Sequence, residues 1–311
     1  MIVKLSTTNA AEVQQAIASA RHHVGASSGL VFTLVVVAEL SEYDRAMEAC
    51  LEAGREHPSR ILLLTNGRAR ADRMDAEVQA GEGAPGEIIA LKFHGVLQKH
   101  RESVVLPLLL PDLPVIVWWP GRSPKAPGLD PIGRLATRRI TDAMGDPDPV
   151  AALEVRARNY CAGDTDLTWT RITRWRGLLA AALDAYPMDV NRVGVSAAPA
   201  NAAAALLAAW LSDRLDVPVT VDHGKPGPGI TGVVLGSDDD EIRVTRTDGN
   251  LASFSAPGLP QRLVALPRRD LNTLLAEELR RLDDDPIYAE AMAALVRRLD
   301  KAAERGQGRS A

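Results

Sequence analysis

Apolar residues in the first half of the chain follow two rhythms. Val13, Ala16, Ile17 and Ala20 recur at helical spacing, which predicts an amphipathic helix over residues 10–24. Residues 30–38 form instead an unbroken, β-branched apolar run, the signature of a strand covered on both faces. Ser41 is placed to cap a helix over 42–55. Arg60-Ile-Leu-Leu-Leu-Thr65 gives a second buried strand, and a loop with Gly81, Gly83 and Gly86 leads to a third at 87–93. Val115-Ile-Val-Trp-Trp119 makes a fourth, closed by Pro120-Gly121. A segment at 138–141 and a helix at 149–160 complete the region. Continuous apolar strands alternating with helices predict a Rossmann-like α/β domain with a mainly parallel sheet and helices on both faces.

Ala162-Gly-Asp-Thr165 reads as a boundary, dividing the chain into domains 1–163 and 164–311. Beyond it, Asp166 caps a helix over 167–185 whose buried stripe is Ile172, Trp175, Leu178, Leu179, Ala182 and Leu183. A short strand at 193–196 precedes an Ala/Leu helix at 200–215, apolar all round and so buried. The period then shortens. Strands are expected at 217–221, 231–235, 241–247, 251–255 and 262–266, joined by turns such as Ser237-Asp-Asp-Asp240 and Thr247-Asp-Gly-Asn250. The second domain is therefore α+β with an antiparallel sheet and a C-terminal helix pair. The first helix of the pair, 270–282, carries Leu271, Leu274, Leu275, Leu279 and Leu282 on one face; the second starts at Asp285-Pro286 and runs through Arg298. A frayed tail is expected from about residue 305.

The composition is that of an ordinary globular chain: 311 residues, 46% hydrophobic and 24% charged. The longest apolar run is too short to span a bilayer and ends in Glu39. Residues 1–9 lack the charged-then-apolar pattern of a secretion signal, so a cytoplasmic location is expected. The net charge of −4 comes without a concentrated basic stretch, which argues against a nucleic-acid binder. Cys50 and Cys161 are too few for a disulfide framework or zinc site and read as small buried hydrophobes, with a redox pair as the alternative.

Candidate chemistry is mostly decoy. Gly227-Pro-Gly-Ile-Thr-Gly232 matches G-x-G-x-x-G, but prolines interrupt it and a strand rather than a helix follows, so it reads as a turn. Gly25-Ala-Ser-Ser-Gly29 lies between a helix and a strand, the wrong order for a phosphate cradle. Asp238-Asp-Asp-Glu241 reads as a solvated hairpin tip rather than a metal site. Among six histidines, His94 ends the third strand at the edge where ligands bind in open α/β sheets, and is the candidate small-molecule contact beside a structural role. Asp222-His223 makes a poor dyad, since neighbouring strand residues face opposite sides. No catalytic, cofactor or metal constellation is found.

Several stretches together resemble one family: His57-Pro-Ser-Arg-Ile61, Leu108-Leu-Leu-Pro-Asp-Leu-Pro114 running into Val117-Trp-Trp-Pro-Gly121, and Arg138-Arg-Ile-Thr-Asp142. Asp166-Leu-Thr-Trp-Thr-Arg171 with Trp175-Arg176, residues 201–210, Ser253-Phe-Ser-Ala-Pro-Gly258, and Leu274-Leu-Ala-Glu-Glu-Leu-Arg280 before Asp285-Pro286 continue the series. In order and spacing they are similar to glucose-6-phosphate dehydrogenase assembly (OpcA) proteins, from about residue 27 to 299. The resemblance implies a non-catalytic protein that binds glucose-6-phosphate dehydrogenase and promotes its assembly or activation, supporting NADPH production in the oxidative pentose phosphate pathway. Candidate contacts are Trp118 and Trp119, where strand alternation points one ring outward, Arg122, and Arg171 with Arg174 on the polar side of their helix. The tryptophans can equally fill a core. The competing reading is a sugar-phosphate or nucleotide site at the C-terminal edge of the first sheet, using His94, Trp119 and Arg122.

Overall fold

A computed structural model describes residues 1–24, 29–81, 86–224 and 228–307. The chain runs β1 (Ile2–Thr8), α1 (Ala10–Val24), β2 (Thr33–Val37), α2 (Tyr43–Glu56), β3 (Ser59–Asn66), β4 (Met74–Ala80), β5 (Gly86–Phe93), α3 (Arg101–Val105), β6 (Val115–Trp118) and β7 (Arg138–Thr141). It continues with α4 (Pro149–Arg158), β8 (Asp164–Asp166), α5 (Leu167–Arg171), α6 (Thr173–Ala185), β9 (Arg192–Ala197), α7 (Ala202–Leu215) and β10 (Val219–Asp222). Then come β11 (Ile230–Gly236), β12 (Glu241–Arg246), β13 (Leu251–Ser255), β14 (Arg262–Ala265), α8 (Leu271–Leu279) and α9 (Pro286–Gln307).

The first sheet has eight strands in the order β1-β4-β5-β3-β2-β6-β7-β8. Within it β5, β3, β2, β6 and β7 are mutually parallel. Numbered by their order in the chain, those five read 3-2-1-4-5, the doubly wound arrangement, with its topological switch between β2 and β6. The apolar sequences of β2, β3, β5 and β6 are buried on both faces, as expected for such strands, whereas β7 is buried with the polar sequence Arg-Arg-Ile-Thr. One face, with Val35, Leu62, Leu64, Ile89, Leu91 and Val117, packs on Val13, Ile17 and Ala20 of α1.

β1 and β4 are not among the sequence expectations. Both are present as antiparallel additions beyond β5. In β4 the buried Met74, Ala76, Val78 and Ala80 alternate with Asp75, Glu77 and Gln79, a period-2 pattern that reads as a half-buried strand. The helix expected over 167–185 is broken at Ile172, whose φ of −92° and ψ of 0° depart from regular helix values and separate α5 from α6. The last helix extends past Arg298, through Gln307.

The chain packs as two compact units that interleave in sequence instead of meeting at a single residue. The first compact unit comprises 1–145, 161–165 and 270–284; the second comprises 146–160, 166–269 and 285–311. So α8 belongs to the first unit and α4 to the second. The reason is packing. α8 carries its leucines onto α2, whose inner face of Ala46, Ala49, Cys50 and Ala53 leaves room for them. A buried ion pair fixes it there: Arg138 of β7 meets Glu278 of α8 and also donates to the Asp283 carbonyl at 2.6 Å. At the N-terminal edge of the same sheet, buried Glu87 accepts from Arg60 at 2.8 Å and from Arg21 of α1. Burial alone would raise the Glu87 pKa, but the two guanidiniums win and hold it below the usual carboxylate value.

In the second unit α4, α7 and α9 pack together. The second sheet runs β10-β9-β11-β12-β13-β14, with only β9 and β10 parallel. Asp166 accepts from the Thr168 amide at 2.9 Å, capping α5, and pairs at 3.0 Å with buried Arg156, which also reaches Asp146. The Trp169 indole donates to Asp285 at 2.9 Å, and Arg176 lies 3.4 Å over its ring. The expected frayed tail falls largely outside the described residues, as do 25–28 and Gly227 of the two glycine segments.

If the Arg138–Glu278 pair holds α8, Glu278→Ala strands a buried guanidinium and lowers stability by about 3–5 kcal/mol. Arg138→Met combined with Glu278→Leu recovers most of that loss. Urea unfolding of the three variants checks both statements; a single-substitution loss no larger than that of a surface residue would refute the role.

Candidate functional site at the sheet switch point

In doubly wound sheets ligands bind beyond the carboxyl ends of the strands flanking the switch, and a glycine-rich turn after the first strand admits a pyrophosphate to a helix N-terminus. Here the first strand is β2, and the turn after it is Ala38-Glu39-Leu40-Ser41-Glu42. It contains no glycine and two carboxylates. Residues Leu40–Glu42 form a 3-10 turn, and the Glu39 amide donates to Glu42 Oε2 at 3.3 Å. Across the switch, β6 exits through Trp119-Pro120-Gly121. A Cβ placed on Gly121 would lie 1.8 Å from Glu42 Oε1, so the carboxylate packs directly against the glycine backbone. The crevice is thus closed by an acid where a cradle would present amides. A pyrophosphate there would meet like charge at short range in a partly desolvated setting.

His94 is held elsewhere. Its Nδ1 accepts from the Ala69 amide at 3.1 Å, which leaves the proton on Nε2, facing Asp75 Oδ2 at 3.2 Å. A Cβ on Gly67 would lie 2.0 Å from its Cε1, so the ring is wedged beneath that turn. Asp75 is held below the usual carboxylate range, first by the Thr7 amide and then by Arg73 and His94, against its own desolvation. His94 therefore pins the segment between β3 and β4. It is also far from Trp119 and Arg122, because β3 and β2 lie between β5 and β6, roughly 14 Å at the usual strand spacing. The three residues do not form one site.

Trp118 and Trp119 correct an expectation. Alternation does set their rings on opposite faces, but both faces are covered, and the residues are 0% and 2% exposed. Neither ring points outward, and Trp119 belongs to the core beneath α1. Arg122 is exposed just beyond the strand, Arg174 is exposed, and Arg171 is half-buried. Within the second unit Arg171 and Arg174 stand beside Arg269, which donates to the Thr170 carbonyl. Burial, then repulsion from Arg174 and Arg171, brings the Arg269 guanidinium down to about 10. The sequence offered only the dipeptide Arg268-Arg269 as a hint of this cluster.

The cysteines differ from each other and from expectation. Cys50 is buried in α2, with its thiol pushed well up by desolvation, whereas Cys161 is exposed, and the two are not bonded. His223 is exposed, its Nδ1 donating to the Ala198 carbonyl at 3.3 Å. Among the described residues no cluster of His, Cys, Asp and Glu is arranged to hold a metal, and no helix is long and apolar enough to cross a membrane.

Comparison with known proteins places this architecture. Residues 51–158 match the glucose-6-phosphate dehydrogenase subunit N-terminal domain (OpcA assembly) family, and residues 162–292 match the corresponding C-terminal domain family. The chain belongs to the glucose-6-phosphate dehydrogenase assembly (OpcA) family. No curated protein matches it significantly. Solved structures of similar shape include a 3-ketoreductase from Actinomadura kijaniata bound to NADP and TDP-benzene, 8% identical, with a TM-score of 0.47 over 86% of this chain and 95% of that one. An oxidoreductase from Sinorhizobium meliloti is 10% identical, with a TM-score of 0.43 over 88% and 89% of the two chains. An inositol dehydrogenase homolog from Azotobacter vinelandii is 11% identical, with a TM-score of 0.37 over 89% and 88%.

Two outcomes are expected. Calorimetric titration with NADP yields no micromolar isotherm, and a saturable one would contradict the acid-filled switch point. A thiol reagent labels Cys161 in the native protein and reaches Cys50 only on unfolding; equal labelling rates would contradict the burial of α2.

Proposed function

We propose that this protein is a non-catalytic partner of glucose-6-phosphate dehydrogenase, which it binds and whose assembly or allosteric activation it promotes. It thereby supports NADPH production in the cytoplasm. The observation carrying this reading is the match of both halves of the chain to domains named for a subunit of that enzyme. The carboxylates at the switch point support it, because they oppose the dinucleotide that a dehydrogenase of this architecture would hold. The separation of His94 from Trp119 and Arg122 speaks against a phosphate site at that edge.

Arg122, Arg171 and Arg174, with Arg269, are the proposed contact residues, facing acidic groups on the enzyme. Trp118 and Trp119 then act through the core that supports the surface. Charges at an interface rim act mainly on the association rate and its salt dependence. Charge reversal in Arg171→Glu/Arg174→Glu is expected to slow association and flatten its dependence on ionic strength, while the thermal transition stays in place. Co-purification with the dehydrogenase, followed by steady-state kinetics with and without this protein, tests the reading itself; no complex and no kinetic effect would end it.

Activation by preferential binding to one state of the enzyme has a thermodynamic consequence. A coupling of about 1–3 kcal/mol changes apparent substrate affinity roughly 5- to 150-fold. Linkage requires glucose 6-phosphate to tighten the protein pair by the same factor. The dissociation constant of the pair, measured with and without saturating substrate, is expected to fall. A constant that stays fixed while the enzyme's equilibrium substrate affinity shifts would rule the mechanism out.

A further inference from the structure

Outside the first sheet, one part of the molecule has the makings of a ligand site. β9 and β10 are parallel and joined by α7, the only βαβ unit of the second sheet among the described residues. Beyond the carboxyl ends of these strands, where ligands bind in such units, lies a cavity of about 320 Å³. That is the lower end of the range for small-molecule sites, roughly 300–1,000 Å³. Its wall is mostly apolar, with Val150 from α4, Val221 from β10, and Leu295 and Leu299 from α9.

Among the described residues three polar side chains line it: Asn201, His223 and Arg298. Asn201 is spent on capping α7, accepting from the Ala204 amide at 2.9 Å. Arg298 is different. It is half-buried, and it donates to the Val219 carbonyl at 2.6 Å. Among the described residues no carboxylate lines the cavity, and desolvation pushes the Arg298 guanidinium below its ordinary value. A cation partly withdrawn from water without an acid is costly, and an anion in contact offsets that cost. His223 donates Nδ1 to the Ala198 carbonyl, so its Nε2 is an acceptor and leaves Arg298 as the group that meets an anion. Neighbouring Asp222 is turned back on its own loop, accepting from the Gly224 amide at 2.9 Å. A larger cavity of about 620 Å³ on the other side of Arg298 has mixed charge, because Asp213 and Asp216 line it and Asp213 already holds Arg297 at 2.7 Å.

We propose that the cavity at the carboxyl ends of β9 and β10 binds a small organic anion, a phosphate monoester or a carboxylate. Arg298 meets its oxygens, and Val150, Val221, Leu295 and Leu299 enclose its apolar body. The inference stands apart from any role with the dehydrogenase. Both features of the ligand are needed: an inorganic anion leaves the apolar wall unused, and a neutral aromatic leaves Arg298 uncompensated.

The test uses the full chain with phenyl phosphate, benzoate, inorganic phosphate and phenol as probes, followed by calorimetry and ligand-observed NMR. Phenyl phosphate or benzoate is expected to bind at least tenfold more tightly than inorganic phosphate or phenol, and which of the two wins identifies the head group. Arg298→Met, which keeps the aliphatic stem, is expected to weaken binding about ten- to a hundredfold, the range for a lost charge-assisted hydrogen bond. Ala205→Phe fills the cavity from α7 and is expected to abolish binding. Circular dichroism melts confirm that each variant is folded, and should Ala205→Phe fail to fold, Arg298→Met alone decides. Binding of neither organic anion at millimolar concentration, or binding that survives Arg298→Met unchanged, would overturn the proposal.

Discussion

The pair of Arg138 and Glu278 joins residues 140 positions apart in sequence, and the first unit is complete only when it forms. One helix of that unit arrives after the chain has built most of the second, and α4 makes the opposite excursion. Loop closure over such a distance has an entropic cost that local contacts do not recover. Burying the leucines of α8 against α2 opposes it, but apolar packing alone tolerates sliding by a turn. The ion pair does not, because Arg138 left without Glu278 is a buried charge with only a carbonyl for company. Orientation is thus imposed by a penalty on every wrong placement.

The same device recurs. Arg60 with Glu87, Arg139 with Asp164 and Arg156 with Asp166 are all withdrawn from water. These arginines explain why the stretches that resemble the family do not reveal a binding surface. Arg60 of His57-Pro-Ser-Arg-Ile61 and the arginines of Arg138-Arg-Ile-Thr-Asp142 are internal staples. Asp166 caps α5, and Trp169 is tied to Asp285 of the final Asp-Pro. Many of the residues that carry the resemblance are thus bonds within one unit or the other.

Central strands β2, β3, β5 and β6 were legible because burial on both faces leaves an unbroken apolar run. β4 carries an equally clear alternation in Met74–Ala80, but its small and charged residues hide it beside stronger runs. β1 has Val3, Leu5 and Thr8 half-buried and the rest exposed, and it sits at the sheet edge, so its sequence carries little signal. The allegiance of α8 and α4 was not legible at all, since periodicity reports which face of a helix is apolar and not what will cover it. Trp118 and Trp119 were misjudged for a related reason. Alternation assigns faces correctly, but exposure depends on whether both faces are covered, and near the switch point they are. Arg171 and Arg174 could be placed on a polar helix face, whereas Arg269 joins them only through the fold.

The switch point shows how little has to change for a doubly wound sheet to stop offering a phosphate cradle. The backbone after β2 still turns into a helix, so amides are still present at its start. Carboxylates have taken up the space and the donors: Glu42 accepts from the Glu39 amide and fills the crevice against Gly121. A substituted glycine would block access, and a neutral side chain would leave the local field unchanged. A glutamate does both harms at once, since a phosphate approaching it must displace a bonded carboxylate and then sit beside the charge.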